Sequence, residues 1–302
     1  VVSVDVQTGT VGWTVAIRGG VDGDARYDEI RRQVYVGTDD GLLYALRPDT
    51  GAIRWSYRGK GPMDRGPAIS AQGLFLTTAA DRLIALDPET GVSRWQYERE
   101  TPEGFTIHGF GSPHVAHDRV LAGFADGYLV ALQAETGALI WARSLAAASE
   151  QHVDVDATPV VRGETVYAAS FLGGIYALRM KDGEVLWRTA MEGTSGLTLG
   201  ESRLYAAVPS SGLVALSLEG NLLWRQGLAA SGDITPPVEI GPYLIWSTSR
   251  DGLFIVERAT GKLLQTFDPG RGMCASPTVD VARRRIYILA NNGTLYALSL
   301  AW

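Results

Sequence analysis

A single stretch, "RLIALDPETGVSRW" at residues 82–95, recurs with small changes along the chain, and such repetition limits the fold to architectures that stack one unit. It returns as "GLLYALRPDTGAIRW" (41–55), "GYLVALQAETGALIW" (127–141), "GGIYALRMKDGEVLW" (173–187) and "SGLVALSLEGNLLW" (211–224). A degenerate copy, "GLFIVERATGKLLQ" (252–265), carries Gln265 where the others carry Trp. Trp13, Trp55, Trp95, Trp141, Trp187 and Trp224 are therefore spaced 42, 40, 46, 46 and 37 residues apart. The expected role of all six is structural, each indole covering the groove between neighbouring units.

Each unit divides into four strands. A Pro-led apolar run opens it, as in "GPAIS" (66–70), "SPHVA" (112–116), "TPVVR" (158–162) and "SPTVD" (276–280). A β-branched and aromatic run follows, such as "QVYVGT" (33–38) or "TVYAAS" (165–170). Asp40-Gly41, Asp126-Gly127, Asp251-Gly252 and Asn292-Gly293 then supply the positive φ of tight hairpin turns. The third strand is the "LYAL" segment, read as alternating with period two. In "LDPETGV", Asp87 accepts backbone bonds, Pro88 presets φ, and Gly91 takes a left-handed position before the Trp-bearing fourth strand.

Four antiparallel strands in about 40–45 residues, repeated without a helical period, describe a β-propeller blade. The expected fold is all-β, a seven-bladed β-propeller occupying residues 1–302 as one domain. Blades are expected to end near Trp55, Trp95, Trp141, Trp187, Trp224 and Gln265. Residues 1–13 match only the back half of a unit, and residues 275–300 match its first three strands. Joining 275–300 with 1–15 would complete the last blade and close the ring by pairing the N- and C-terminal strands. Residues 1–5, however, duplicate the third-strand register already filled by Leu295–Leu298, which leaves open an eight-bladed parent.

Composition excludes several functions. A net charge of −6 argues against nucleic acid as a partner. Cys274 is alone, so neither an internal disulfide nor a Cys-based zinc cluster can form. No stretch approaches the roughly 20 apolar residues of a membrane span. The chain opens on Val1 without a signal segment or lipid-attachment Cys, and is expected to be a processed or trimmed product. His108, His114, His117 and His152 cluster near two connections, but His114 and His117 are three apart around a turn, not four apart on a helix. Asp22, Asp24 and Asp28 lack the Gly and terminal Glu of a calcium loop. No metal site, cofactor or catalytic residue is expected, and the chain reads as a non-enzyme.

The "ALD..TG..W" repeat resembles the quinoprotein-like, or PQQ-like, propeller family over essentially the whole chain. The order of "FTIHGFGSP" (105–113), "VDVDATPVVRGETVYAASFLGGIYAL" (153–178) and "SLEGNLLW" (217–224), with the degenerate "GKLLQ" blade, is similar to the BamB family of outer-membrane β-barrel assembly lipoproteins. That resemblance implies a periplasmic, outer-membrane-associated, monomeric scaffold held to the membrane by a lipid anchor not present in this chain. It implies a protein partner, the POTRA region of the barrel-inserting subunit, contacted through Phe105, Ile107 and His108 and through Asp154 and Asp156. The family typically has Leu, Leu and Arg at the first three of these positions, and usually eight blades.

Read from the residues alone, Asp154 and Asp156 alternate ahead of Thr158-Pro159, so both carboxylates project to one side of an extended entry strand. Phe105 and Ile107 would be apolar anchors beside them, as in a transient interface. The resemblance also reaches quinoprotein dehydrogenases, but those carry a vicinal Cys pair that one cysteine cannot supply. The alternative function is a ligand-sensing propeller, resembling those attached to bacterial membrane Ser/Thr kinases.

Overall fold

Runs of β-branched and aromatic residues, broken at short intervals by Gly, Pro and Asp, form only strands and turns in the computed structural model, with no helix among the described residues. Residues 1–63, 65–100, 111–146, 154–208, 211–227 and 232–300 are described. The chain divides into two compact units, Val1–Arg143 and Ser144–Trp302.

The first unit begins with a two-stranded hairpin, β1 (Val2–Val4) and β2 (Val11–Thr14). Blade 1 follows as β3 (Arg26–Asp28), β4 (Gln33–Gly37), β5 (Leu42–Leu46) and β6 (Ile53–Arg58). Blade 2 is β7 (Ala68–Ile69), β8 (Leu74–Thr78), β9 (Arg82–Leu86) and β10 (Ser93–Glu98). Blade 3 is β11 (His114–Ala116), β12 (Arg119–Gly123), β13 (Tyr128–Gln133) and β14 (Leu139–Ser144).

The second unit contains blade 4, of β15 (Val160–Arg162), β16 (Thr165–Ser170), β17 (Gly174–Arg179) and β18 (Val185–Thr189). Blade 5 is β19 (Gly196–Leu199), β20 (Arg203–Val208), β21 (Gly212–Ser217) and β22 (Leu222–Gln226). Blade 6 is β23 (Val238–Ile240), β24 (Tyr243–Thr248), β25 (Gly252–Glu257) and β26 (Leu263–Phe267). In blade 7 the described residues form β27 (Thr278–Asp280), β28 (Arg285–Leu289) and β29 (Leu295–Ser299). All pairings described are antiparallel, and the all-β, seven-bladed propeller class stands.

Of the two parts expected to make the last blade, residues 1–15 fall in the first unit and 275–300 in the second, and each is described within its own unit. Trp13 pairs with Ser3 across the hairpin, with a register shift at Val4. This is the register of blade 1, where Trp55 pairs with Ala45 and the shift falls at Leu46. β1 and β2 are thus a third and a fourth strand in their own right. The reason is local: Asp5 Oδ1 accepts from the backbone N–H of Gln7 (2.9 Å) and Thr8 (2.8 Å), closing a short turn that sets β1 beside β2. β29 has β28 as its strand partner.

The core lies between blade faces. On β5, Leu43 and Ala45 pack with Leu74, Leu76 and Ile84 of blade 2, while Leu42, Tyr44 and Leu46 pack with Trp13 and Val15 on the other side. Alternation in "LYAL" therefore separates two neighbours rather than core from solvent, and every residue of β5, and all but the last of β17 and β21, is buried. The outer fourth strands do alternate between exposed and half-buried.

Five of the repeat tryptophans, Trp13, Trp55, Trp95, Trp187 and Trp224, each reach the next turn within their own unit. Trp13 Nε1 donates to Pro48 O (2.9 Å), Trp55 to Pro88 O (3.2 Å) and Trp95 to Ala134 O (3.0 Å) in the first unit. Trp187 donates to Leu218 O (2.9 Å) and Trp224 to Arg258 O (3.1 Å) in the second. The Gly of the receiving turn lies flat on the indole. A Cβ on Gly91, which has φ +73°, would stand 2.5 Å from Trp55 Cε3. Only a residue without a side chain meets both demands.

Candidate partner-binding surface

Phe105, Ile107 and His108 lie in 101–110, outside the described residues. The structure does describe the frame from which that segment leaves and to which it returns, all within the first unit. Arg99 at its start places Nε 2.5 Å from Asp126 Oδ2, Nη1 3.3 Å from the Tyr97 hydroxyl, and its guanidinium carbon 4.2 Å from the centre of the Tyr128 ring. Burial pulls the Arg99 pKa down, but the Asp126 carboxylate and the Tyr97 hydroxyl outweigh it and hold the group above its ordinary value. At the far end, Gly111 O accepts from Thr77 Oγ1 at 2.9 Å.

Asp81 completes this frame, and nothing in the sequence reading marked it. Blades 1, 3, 4, 5, 6 and 7 place Gly41, Gly127, Gly174, Gly212, Gly252 and Gly293 at positive φ between the second and third strands; blade 2 places Asp81 there, at φ 50°. An Asp in this conformation is strained unless its surroundings hold it. They do so here: Asp81 Oδ1 accepts from Ala125 N (3.0 Å) and its carbonyl from Arg99 N (3.2 Å). The available signal was "TTAADRL" (77–83), where the repeat lacks its usual Gly.

In the second unit, residues 154–159 enter blade 4. Val155 and Ala157 take buried positions, and Ala157 joins the cluster with Tyr167, Ile175 and Leu197. Asp154 and Asp156 alternate with them as the spacing implies. Their exposure differs from the sequence reading: Asp154 is 1% exposed, and its carbonyl accepts from Phe171 N at 2.9 Å, while Asp156 is half-buried. The Phe171 bond ties the segment to the 170–174 turn. Tyr176 OH donates to Leu145 O (2.9 Å) and Arg188 Nε to Gly173 O (2.7 Å) beside it. Of the two acids, Asp156 is the one left with surface to offer.

Among the described residues no three His, Cys, Asp or Glu side chains converge to hold a metal ion. His114 is half-buried on β11, and burial pulls its pKa down. His117 occupies a tight turn at φ 56°. His108 and His152 lie outside the described residues. Asp28 is buried and forms an ion pair with Arg31 (2.9 Å). Among the described residues no helix is long and apolar enough to cross a membrane.

A family model described as outer membrane protein assembly factor BamB matches residues 1–219 and 209–301. No curated protein sequence matches. Among solved structures, BamB from Moraxella catarrhalis aligns with a TM-score of 0.84 at 24% identity, covering 97% of this chain and 89% of that one. The computationally designed Ika8 protein aligns at 0.79 and 14% identity, covering 99% and 90%. Quinohemoprotein alcohol dehydrogenase from Comamonas testosteroni aligns at 0.76 and 14% identity, covering 94% of this chain and 66% of that one. At these identities the structural likenesses speak to the fold alone.

Proposed function

The chain belongs to the family of the outer membrane protein assembly factor BamB, and on that premise we propose that it is a non-catalytic scaffold that holds a protein partner during outer-membrane protein assembly. The observation that carries this reading is the family match, which runs through almost the entire chain rather than through a few blades. The likeness to an alcohol dehydrogenase is one of fold at 14% identity, and a single cysteine cannot form the vicinal pair of that enzyme class. The proposed partner is the POTRA region of the barrel-inserting subunit, met on the periplasmic side of the outer membrane.

The contact elements we propose are the 101–110 segment, through Phe105, Ile107 and His108, and the entry to blade 4, through Asp156. The hydrogen-bonded Asp81–Arg99–Asp126 frame supports the first, because it fixes the described residues from which that segment departs. Asp154 assists by holding its segment, not by touching the partner. The test is a titration of the chain with a purified POTRA fragment. Asp156→Arg should weaken binding by about 1–3 kcal/mol with little change in melting, whereas Asp154→Arg should lower the melting temperature itself. Equal affinity of wild type and Asp156→Arg, or no binding by wild type, would overturn the assignment.

A further inference from the structure

Counted from each recurring Trp, and from Gln265, the fourth residue onward carries a side chain at Ile17, Arg99, Leu145, Met191, Leu228 and Pro269; at Gly59 it carries none. In the first unit that side chain has a visible task. Ile17 packs with Leu42, Tyr44 and Leu46 of blade 1, and Arg99 bonds to Asp126 of blade 3. The place it would occupy after blade 1 is equally defined. Trp55 and Tyr57 on β6 pack toward Leu74 and Ile84 of blade 2, and residue 59 follows with the same parity. A Cβ on Gly59 would meet the tip of Met63 and stand 3.3 Å from Tyr57 Cε1 and 3.7 Å from Ile84 Cδ1.

Beside Gly59 lies a cavity of about 210 Å³ between blades 1 and 2, within the first unit. Its apolar wall is Ile84 and the Tyr57 ring; Arg58, Lys60, Arg82 and Gln96 supply the rest, and no Asp or Glu lines it. The three cations are not equally engaged. Arg58 donates through Nη1 to Asp40 O at 3.2 Å. Arg82 is held by Glu98 Oε1 through Nη2 (2.6 Å), which leaves its Nε and Nη1 without a partner among the described residues. Lys60 is exposed and makes no ion pair among the described residues. Gln96 Nε2 donates to the Tyr57 hydroxyl at 3.2 Å. Burial raises the Tyr57 pKa against a Ser93 bond and the Arg82 charge, so that hydroxyl keeps its own proton.

We propose that this cavity binds a compact organic carboxylate, whose apolar body lies against Ile84 and the Tyr57 ring and whose charge meets Lys60 and the spare donors of Arg82. Charge-assisted bonds fix its orientation, and the space suits a single-ring acid rather than a drug-sized ligand. An anion with no apolar body would leave the Ile84 wall wet, and a neutral isostere would leave both cations unanswered. The site shares no residue with the contact elements proposed above, so loss of either leaves the other intact.

The probe is 4-fluorobenzoate, titrated with the full chain and followed by fluorine NMR. Saturable one-to-one binding with a dissociation constant of about 1 mM or tighter is expected. Lys60→Met keeps the aliphatic stem and removes the charge, and Gly59→Leu restores the side chain that the repeat lacks here; each should bind at least about tenfold more weakly. So should 4-fluorobenzyl alcohol with the unchanged protein. Lys60 is exposed, and Gly59→Leu displaces only the flexible tip of Met63, so both variants should melt as wild type does. Melting curves check this, and Lys60→Met alone decides if Gly59→Leu melts early. Absence of saturable binding to the folded chain, equal binding by the folded variants, or equal binding of the alcohol overturns the proposal. So does full displacement by equimolar inorganic phosphate, because the site would then answer to charge alone.

Discussion

The same four residues, Leu-Tyr-Ala-Leu, stand at 43–46 in blade 1 and at 295–298 in blade 7, both in the third strand and both opposite a Tyr. Leu43 is 1% exposed and Leu295 is 47% exposed. Sequence, strand position and inner hydrogen-bond partner are alike. The difference is that blade 1 has packed neighbours on both faces. Blade 7 packs one face, through Ile286, Ile288 and Leu298, against blade 6. Burial in a stacked architecture is thus a property of the neighbours, and a repeat becomes a core strand only when flanked.

The sharpest test of that contrast is one truncation made twice. Leu43→Ala should cost about 2–5 kcal/mol, the usual loss for a buried Leu, whereas Leu295→Ala should stay within about 0.5 kcal/mol. Urea denaturation of the two variants measures both, and comparable losses would mean that blade 7 is covered in solution.

A smaller separation is expected at the turn glycines. Gly91 and Gly9 share a left-handed φ, +73° and +72°. An Ala at either pays about 1–2 kcal/mol for that conformation. At Gly91 the new methyl also meets Trp55 at 2.5 Å, whereas nothing lies within 4 Å at Gly9. Gly91→Ala should therefore lose about 1–3 kcal/mol more than Gly9→Ala. Denaturation midpoints that fall equally would show that the indole yields without cost.

The smallest effect concerns pH. Asp87 and Asp5 cap equivalent turns through the same side-chain oxygen, each accepting from the backbone two and three residues on. Asp87 additionally receives Arg94 Nη2 at 2.6 Å, where the hairpin has Gly12. The Arg94 hydrogen bond, helped by those from Thr90 and Glu89 and opposed by slight burial, holds the Asp87 pKa down at about 2. A carboxylate with a depressed folded pKa stabilises above its unfolded value near 3.8, and that contribution fades as pH falls toward 2. Asp87→Asn should flatten the fall in melting temperature between pH 4 and pH 2, and Asp5→Asn should change that slope less. Identical slopes would place the acid sensitivity elsewhere.

The candidate surface was legible only in part. The "DVD" spacing located Asp154 and Asp156 at the entry to blade 4, because strand alternation is a local property. It carried no information on depth, which depends on packing with residues such as Phe171, whose N–H bonds the Asp154 carbonyl from 17 positions away. The Arg99–Asp126–Tyr128 cluster joins residues 27 and 29 positions apart, a pairing set by blade stacking rather than by any motif.

By itself the sequence determined the repeating unit, the four strands within it, the turn chemistry of each Asp-x-x-Thr-Gly and the absence of helix, since all of these follow from backbone preferences acting over a few residues. The tertiary structure decided which partner each strand meets. It set the N-terminal hairpin as a third and fourth strand, and seated the indoles of Trp13, Trp55, Trp95, Trp187 and Trp224 on Gly51, Gly91, Gly137, Gly220 and Gly261. Those outcomes rest on contacts between residues roughly a repeat apart, where packing and the cost of leaving an edge unpaired, not local propensity, select the arrangement.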